Sequence, residues 1–336
     1  MANTVLLTGG AGFLGAHVAR ELLASEHLTD AKIVVLDDLS GGFVDHVPTD
    51  DRLTFVEGSI VDIALVDRLF DEHKFRFVYH LAAYAAEGLS HFIRRFNYTN
   101  NVVGSMNVLN GAIRHQSSHF VFTSSIAVYG SAAVPMTEAT VPQPEDPYGI
   151  AKYAVELDLH AAADMFGLNH TIFRPHNVYG EYQNIGDRYR NVVGIFMNRI
   201  MQGQSLPVFG SGEQKRAFTY VGDIAGMIAN APFVEAAKNE TFNVGSDTPS
   251  TVNQLAQVVA DTFEVEPGIE HMEARNEVEF AWADHSKSRD AFGNHPETTL
   301  ADGIRKMAEW AKKTGPRSSS SFDDIEVERN LPPSWR

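Results

Sequence analysis

A tyrosine and a lysine four residues apart offer the clearest chemistry in this sequence. Tyr148 and Lys152 open a segment that follows Asp146 and Pro147, and this segment is predicted to be a helix. Residues i and i+4 share one helix face, so the ammonium would lie beside the phenol. A neighbouring cation favours the phenolate and lowers a pKa that is ~10 in free tyrosine. We therefore expect a phenol that exchanges a proton with a substrate hydroxyl near neutral pH.

A run of hydroxyl side chains supports this interpretation, because a tyrosine-lysine pair alone also occurs on ordinary surface helices. The apolar strand candidate that begins at Phe120 ends in Thr123, Ser124 and Ser125. Open α/β sheets bind ligands at the carboxyl ends of their strands. One of these hydroxyls could share the substrate's proton with Tyr148. The alternative is simple hydrogen-bond satisfaction of the strand end, which we expect for Thr123 or Ser124.

A second group of residues points to a dinucleotide. Gly9, Gly12 and Gly15 follow the first strand candidate and open a helix. Glycines in such a turn let backbone N–H groups approach a pyrophosphate at the helix N-terminus. Asp37 ends the next strand, 22 residues after Gly15, where a carboxylate bonds an adenosine ribose and repels a 2′-phosphate. The pattern predicts NAD rather than NADP, whereas an ordinary strand-to-helix turn is the alternative.

These residues need a scaffold of alternating strands and helices. Strands are predicted at 4–8, 33–37, 53–57, 77–81, 120–124, 171–174 and 241–245, and helices at 12–24, 63–71, 90–114, 148–166, 255–263 and 304–312. Near-continuous apolar strands alternating with helices predict a parallel sheet that is covered on both faces. We expect a cofactor domain of residues 1–177 with 213–247, a substrate region of 178–212 with 248–315, and a loosely ordered tail over 316–336.

Composition restricts the partners. The 336 residues carry a formal charge of −16, which disfavours nucleic acid and anionic membranes as partners. The absence of cysteine excludes disulfides and thiol chemistry, and we predict no metal site. No apolar run approaches the ~20 residues that cross a bilayer. The first residues show no secretory pattern, so a cytoplasmic protein is expected.

Taken together, these features resemble the extended short-chain dehydrogenase/reductase family, and in particular its nucleotide-sugar epimerases of the UDP-glucose/UDP-galactose 4-epimerase type. The resemblance covers most of the chain in family order, in the segments TGGAGFLG (8–15), VVLDDLS (34–40), FVEGSI (55–60), VYHLAA (78–83), NYTNNVVGSMNVL (97–109), FVFTSSIAVYG (120–130), PYGIAK (147–152), FRPHNVYG (173–180), RAFTYVGDIA (216–225), FNVG (242–245) and WADHSK (282–287). It implies a Rossmann-type doubly wound parallel sheet with a smaller mixed α/β substrate-binding region.

The resemblance also implies roles for residues. Ser125 would join Tyr148 and Lys152 in catalysis. Besides the three glycines, NAD would contact Phe13, Leu14, Asp37, Asp38, Ser59, Ile60, Leu81, Ala82, Ala83, Asn100, Tyr148, Lys152 and His176. The nucleotide sugar would contact Ser125, Asn177, Asn191, Val208, Phe209, Arg216, Arg275 and Glu277. Residues 102–109 and the helix that begins at Tyr148 correspond to the helices through which the family forms homodimers.

Departures from the family pattern reduce the number of reactions that this chain is expected to catalyse. Dehydratases of the family carry Asp-Glu after the hydroxyl, where this chain has Ile126 and Ala127, and the cysteine of 3,5-epimerases is absent. We therefore expect 4-epimerisation of a UDP-hexose, N-acetylhexosamine or uronic acid through a transient 4-keto sugar. One alternative is a dehydratase or reductase acting on a GDP-, CDP- or dTDP-sugar. The other is a catalytically silent NAD-binding or RNA-associated regulatory protein, which the intact Tyr148 and Lys152 disfavour. The polar run from Tyr182 to Arg190 is either a substrate loop or a solvated insertion.

Overall fold

The structure is a computed structural model that describes residues 3–274, 279–294, 297–318, 322–332 and 335. Its strands are β1 (Thr4–Thr8), β2 (Lys32–Asp37), β3 (Leu53–Glu57), β4 (Phe77–His80), β5 (His119–Thr123), β6 (His170–Pro175), β7 (Val178–Tyr179), β8 (Leu206–Phe209), β9 (Lys215–Ala217), β10 (Thr219–Tyr220), β11 (Glu240–Val244), β12 (Pro249–Thr251), β13 (Ile269–Met272) and β14 (Phe280–Ala281). Its α-helices are α1 (Phe13–Ala24), α2 (Ile63–His73), α3 (Glu87–Ser90), α4 (Arg94–Tyr98), α5 (Gly104–Arg114), α6 (Pro147–Phe166), α7 (Val192–Met201), α8 (Ala225–Asn230), α9 (Val252–Thr262), α10 (Ser286–Phe292) and α11 (Leu300–Thr314).

The main sheet has seven strands in the order β11-β6-β5-β4-β1-β2-β3 within the described residues. Every neighbouring pair in it is parallel. This confirms the predicted Rossmann-type doubly wound sheet. The chain leaves β1 toward β2 and β3 on one side and later returns to β4 on the other. The crevice at this reversal, beyond the carboxyl ends of the strands, is where such sheets bind ligands.

Both faces of the sheet are buried, which explains why its strands are apolar almost throughout. Val5 and Leu7 of β1 point into a core that α1 and α8 cover, whereas Leu6 points into a second core formed with α2, α5 and α6. Each fully buried aliphatic side chain of this kind contributes about 1.5–3 kcal/mol. The two cores hold the strand ends rigidly, and the strand ends carry the candidate site.

A smaller region packs beside this sheet. Its core includes Phe196 of α7, Val208 of β8, Leu255 of α9 and Ile304 of α11. Strand β9 pairs with β12 and β14, so residues 215–217 lie with the strands of this region, although the proposed division places them with the cofactor domain. The domain division stays a prediction. No helix of the described chain is long and apolar enough to span a bilayer.

The predicted single helix over 90–114 is wrong at its start. Helix α3 ends at Ser90, and α4 begins at Arg94, from which it continues through a π-helical turn (Thr99–Val103) into α5. The Ser90 hydroxyl donates to the carbonyl of Glu87 and accepts from the backbone N–H of Tyr148. A serine that bonds the backbone in this way competes with helix continuation.

The predicted loose tail is also partly wrong. Within 322–332 and at residue 335, Leu331 and Trp335 are buried against Leu89 and Ile93, and Phe322 packs at the edge of the same cluster. The reason is that the tail alternates charged residues with large apolar ones, and the apolar ones find a hydrophobic surface on α3 and α4. The tail therefore packs on α3 and on the segment before α4, beside the cleft.

Candidate active site

A cleft of about 460 Å³ lies at the carboxyl edge of the main sheet. It extends from the turn after β1 to the start of α6 and is closed on its outer side by the segment between β7 and α7. The sequence-predicted residues that line it are Gly9, Gly12, Phe13, Leu14, Gly15, Asp37, Asp38, Ile60, Leu81, Ala82, Ala83, Asn100, Ser125, Tyr148, Lys152, Asn177 and Asn191. Residues from separate strand ends and helices thus meet in one place.

The glycine turn after β1 is shaped so that only glycine fits. Gly9 has a positive φ of 75°. A Cβ on Gly15 would lie 2.1 Å from the carbonyl oxygen of Gly9, and one on Gly9 would lie 2.7 Å from the backbone nitrogen of Ala82. Among the described residues no side chain caps the first turn of α1. The turn therefore forms a backbone cradle that fits the diphosphate of a dinucleotide.

Asp37, at the end of β2, connects this strand to the glycine turn through a hydrogen bond. One carboxylate oxygen accepts the N–H of Ala11 at 3.0 Å, and the other accepts the N–H of Leu39 at 2.8 Å. Burial raises the pKa of Asp37, while the hydrogen bonds from Leu39 and Ala11 oppose that shift. A carboxylate oxygen has more than one lone pair, so Asp37 can still accept hydrogen bonds from a ribose.

The catalytic candidates meet on the other side of the cleft. Asp146 caps α6 by accepting the N–H of Gly149 at 2.9 Å, which fixes the first turn that carries Tyr148. The hydroxyl of Ser125 lies beside the phenol of Tyr148, where it favours the ionised phenol and so opposes the rise in its pKa. One turn along, the ammonium of Lys152 donates to the carbonyl oxygen of Thr123 at 2.8 Å. The predicted triad is therefore assembled around the carboxyl end of β5.

The predicted lowering of the Tyr148 pKa is wrong. Burial raises this pKa, the negative charge of Glu87 raises it further, and the bond with Ser125 and the charge of Arg190 only oppose the shift. The ammonium of Lys152 bonds the end of β5 instead, and it lies 5.8 Å from the centre of the Tyr148 ring. Burial also lowers the pKa of Lys152 to about 7.

A buried polar network holds the walls of the site together. Thr8 and Ser105 each bond one ring nitrogen of His80, at 2.7 and 2.8 Å. Asn101 bonds both the N–H and the carbonyl of Tyr84 in the turn after β4. The satisfaction of the strand end that was expected for Thr123 or Ser124 holds for Thr123, whose hydroxyl donates to the carbonyl of His80 at 3.5 Å. The hydroxyl of Ser124 is buried in the cleft wall without a partner in the described chain. Such an orphaned hydroxyl is available to a ligand.

Several predicted residues do not line the cleft in the described structure. The hydroxyl of Ser59 accepts the N–H of Val61, and His176 is buried between the carbonyl of Ala217 and the ring of His285. Val208 and Phe209 lie in β8, where Val208 is part of the second region's core. Arg216 lies in β9 and donates to the carbonyls of Lys215 and Glu279, within the sheet of β12, β9 and β14. Arg275 and Glu277 fall outside the described residues.

Comparison with known proteins decides the family. The family model for the NAD dependent epimerase/dehydratase family matches residues 5–245. The chain belongs to the NAD-dependent epimerase/dehydratase family. This confirms the resemblance to the nucleotide-sugar epimerases among the extended short-chain dehydrogenases/reductases.

Three relatives show the range of reactions in this family. The crystal structure of UDP-glucose 4-epimerase with UDP-glucose from Thermotoga maritima is 32% identical with a TM-score of 0.86, over 93% of this chain and 99% of that one. The UDP-glucose 4-epimerase complex with NAD from Thermus thermophilus is 28% identical with a TM-score of 0.83, over 91% and 98%. The dTDP-D-glucose 4,6-dehydratase of Mus musculus is 30% identical, over 93% and 89%.

Sequence reasoning missed part of this epimerase/dehydratase cleft. Tyr84 and Glu87 line it from the turn after β4 and from α3, and further lining residues that were missed are Gln183, Asn184, Asp187 and Arg190. The last four belong to the polar run 182–190, which is therefore a wall of the cleft rather than a solvated insertion. Ile185, an apolar and fully buried residue within this run, is the one signal that could have indicated a packed loop.

Proposed function

We propose that this member of the family is an NAD-dependent 4-epimerase of a nucleotide sugar, acting on a UDP-hexose or its N-acetylhexosamine or uronic acid counterpart. The observation that carries the proposal is that Tyr148, Ser125 and Lys152 line one cleft together with a glycine cradle. Two solved UDP-glucose 4-epimerases, one with UDP-glucose and one with NAD, share this fold over more than nine-tenths of the chain and support it.

The residues of the cleft fit NAD. The uncapped start of α1 and the turn of Gly9, Gly12 and Gly15 would hold the diphosphate, and Asp37 would accept from the adenosine ribose. When bound, NAD supplies the acceptor and donor of hydride. Ser124 and Asn100 offer further polar contacts in the cleft wall. This assignment favours NAD over NADP because a 2′-phosphate would face the carboxylates of Asp37 and Asp38.

The protein's own task is proton transfer and orientation. Tyr148 takes the proton of the hydroxyl at sugar carbon 4, and Ser125 shares that proton through its hydrogen bond with the phenol. Because burial raises the pKa of the phenol, the Ser125 bond and the positive charge of Arg190 are needed to stabilise its ionised form. The 4-keto sugar then turns in the cleft, and Tyr148 returns the proton as the opposite configuration forms.

The sequence after Ser125 favours epimerisation over dehydration. Ile126 and Ala127 follow it in a short 3₁₀ helix, and Ile126 packs on the cluster of Val128 and Tyr129. Neither residue carries a carboxyl group that could act as the acid or base of an elimination. The similarity to a dTDP-D-glucose 4,6-dehydratase keeps dehydration as the second candidate, since that relative is as similar in sequence as the epimerases.

A homodimer is proposed from the outer face of two helices. Val103, Ile150 and Leu157 are 50%, 41% and 53% exposed, and they lie on the segment leading into α5 and on α6. Exposed aliphatic side chains on adjacent helices favour association with a second copy. Since Ile150 and Leu157 are two helical turns apart on α6, they form one stripe.

A ligand screen tests the reaction. Thermal shifts would be measured with UDP-, GDP-, CDP- and dTDP-sugars, because a ligand that binds only the folded state raises its melting temperature. The sugars that stabilise the protein would then be incubated with it without added NAD, and product configuration would be determined by NMR. We expect a UDP-sugar to give its 4-epimer. A dehydrated 4-keto product, or steady formation of NADH in a parallel incubation with added NAD, would contradict the proposal.

A further inference from the structure

Arg190 crosses the cleft at the level of the glycine turn. A Cβ on Gly41, in the loop after β2, would lie 3.1 Å from one terminal nitrogen of the Arg190 guanidinium. The same guanidinium lies 4.9 Å from the ring centre of Tyr84, in the loop after β4. Strands β2 and β4 are the two neighbours of β1. Arg190 therefore contacts the loops on both sides of the glycine turn that follows β1.

The loop that carries Arg190 holds this side chain in place. Both Nε and a terminal nitrogen of Arg190 lie 2.5 Å from Oδ2 of Asp187. Asp187 is itself buried, and its other oxygen accepts the N–H of Tyr189 at 2.9 Å. Two nitrogens of one guanidinium that bond the same buried carboxylate oxygen fix the direction of the side chain. The cation is thus presented across the cleft rather than extended into solvent.

The C-terminal segment supports the loop from outside. The N–H of Phe322 donates to the Tyr189 hydroxyl at 3.0 Å, and the Tyr189 and Trp335 rings lie 5.5 Å apart. A Cβ on Gly186 would lie 2.8 Å from the carbonyl oxygen of Ser318. The loop therefore cannot swing outward without breaking contacts with the tail.

We propose that Arg190 is a clasp that binds the diphosphate of the dinucleotide from the side opposite the glycine turn and slows its release. The inference rests on the proposed function, because it requires NAD in this cleft. The chain carries a net charge of −16, so a cation fixed beside the cradle offsets part of the repulsion of an anionic ligand. A reaction without net redox change also gains from a cofactor that stays bound between turnovers.

The test compares ligands with and without a diphosphate. Affinities for adenosine, ADP and NAD would be measured by calorimetry for the wild type, Arg190→Met, Arg190→Lys and the control Arg188→Met, which removes the same charge from a residue outside the cleft wall. We expect Arg190→Met to weaken ADP and NAD binding about 10- to 100-fold and to leave adenosine binding unchanged. Arg190→Lys should lie between, because lysine lacks the forked geometry.

Retention gives a second measurement. Proteins loaded with NAD would be desalted, and the NAD remaining would be determined over time. We expect Arg190→Met to release NAD at least about tenfold faster than the wild type and the Arg188→Met control. Equal retention by Arg190→Met, or an equal loss of adenosine affinity, would overturn the clasp. If the wild type itself binds no NAD, the proposed function fails instead, so the two failures are distinguishable.

Discussion

The pKa of the Tyr148 phenol depends on burial and on the residues around it. Burial and the charge of Glu87 raise the pKa of its phenol, while Ser125 and Arg190 oppose that rise. The i,i+4 spacing correctly placed Lys152 on the same side of α6, but it could not show that the ammonium bonds the end of β5. Spacing along a helix fixes which residues are neighbours, whereas the direction of a long side chain depends on packing that comes from elsewhere.

Removing the phenol oxygen of Tyr148 should impair proton transfer and leave NAD binding nearly unchanged. We expect Tyr148→Phe to lower kcat by about 10²- to 10⁴-fold, because the general acid/base is lost while the ring still fills its place. NAD affinity, measured by calorimetry, should stay within about twofold of the wild type. An unchanged kcat in Tyr148→Phe would show that another group is the general acid/base.

The charge of Glu87 should be visible in the pH profile. A carboxylate near the phenol raises its pKa, so Glu87→Gln lowers it, and the base form of Tyr148 then appears at lower pH. We expect the acidic limb of kcat to move to lower pH by a few tenths of a pH unit or more, since charges at a wet cleft interact weakly. Glu72→Gln, on the exposed side of α2, serves as the control and should not move the limb.

At the scale of elements, the candidate site consists of turns that follow the carboxyl ends of the parallel strands, so the sheet fixes their positions. The bounds predicted for β1 and β3 agree with the structure, because continuous apolar runs bounded by turn residues carry a strong local signal. The break between α3 and α4 was not predictable from pattern, since it depends on Ser90 bonding Tyr148 from a distant part of the chain. Local patterns therefore predicted the scaffold and the glycine turn, while tertiary contacts decided the outer walls.

The close packing of Gly15 against the backbone of Gly9 predicts that Gly15→Ala lowers both the stability of the protein and its affinity for NAD. Gly15→Ala places a Cβ 2.1 Å from the Gly9 carbonyl, so the turn must shift. We expect a loss of about 1–3 kcal/mol in the free energy of unfolding and at least about tenfold weaker NAD binding. Gly226→Ala in α8, where the nearest atom to the new Cβ is 3.6 Å away, is the matched control and should be neutral or slightly stabilising.

At the scale of the whole molecule, the cleft is completed by segments remote in sequence. The loop 182–190 forms one wall, and the tail packs on the outside of that loop and on α3 and α4. Sequence analysis left the role of the loop open and described the tail as loose, because neither has the periodicity of a helix or strand. Only the assembled fold shows that Leu331 and Trp335 have an apolar surface to cover.

The outer stripe of α6 should control assembly. We expect Leu157→Glu to convert a dimer to a monomer in sedimentation velocity, because a charge would be buried against an apolar partner surface. Val141→Glu, at a loop position that is 70% exposed, is the control and should leave the sedimentation coefficient unchanged. A monomeric wild type would refute the proposed homodimer without affecting the proposed chemistry.

The most direct test follows an isotope at sugar carbon 4. The UDP-sugar that the screen identifies would be prepared with deuterium at that carbon, incubated with the protein without added NAD, and its product examined by NMR and mass spectrometry. We predict the 4-epimer with deuterium retained at carbon 4, and formation of this product at least about 10²-fold more slowly by Tyr148→Phe. A product that has lost water, or one whose label has exchanged with solvent, would contradict oxidation and reduction at carbon 4 of a retained sugar.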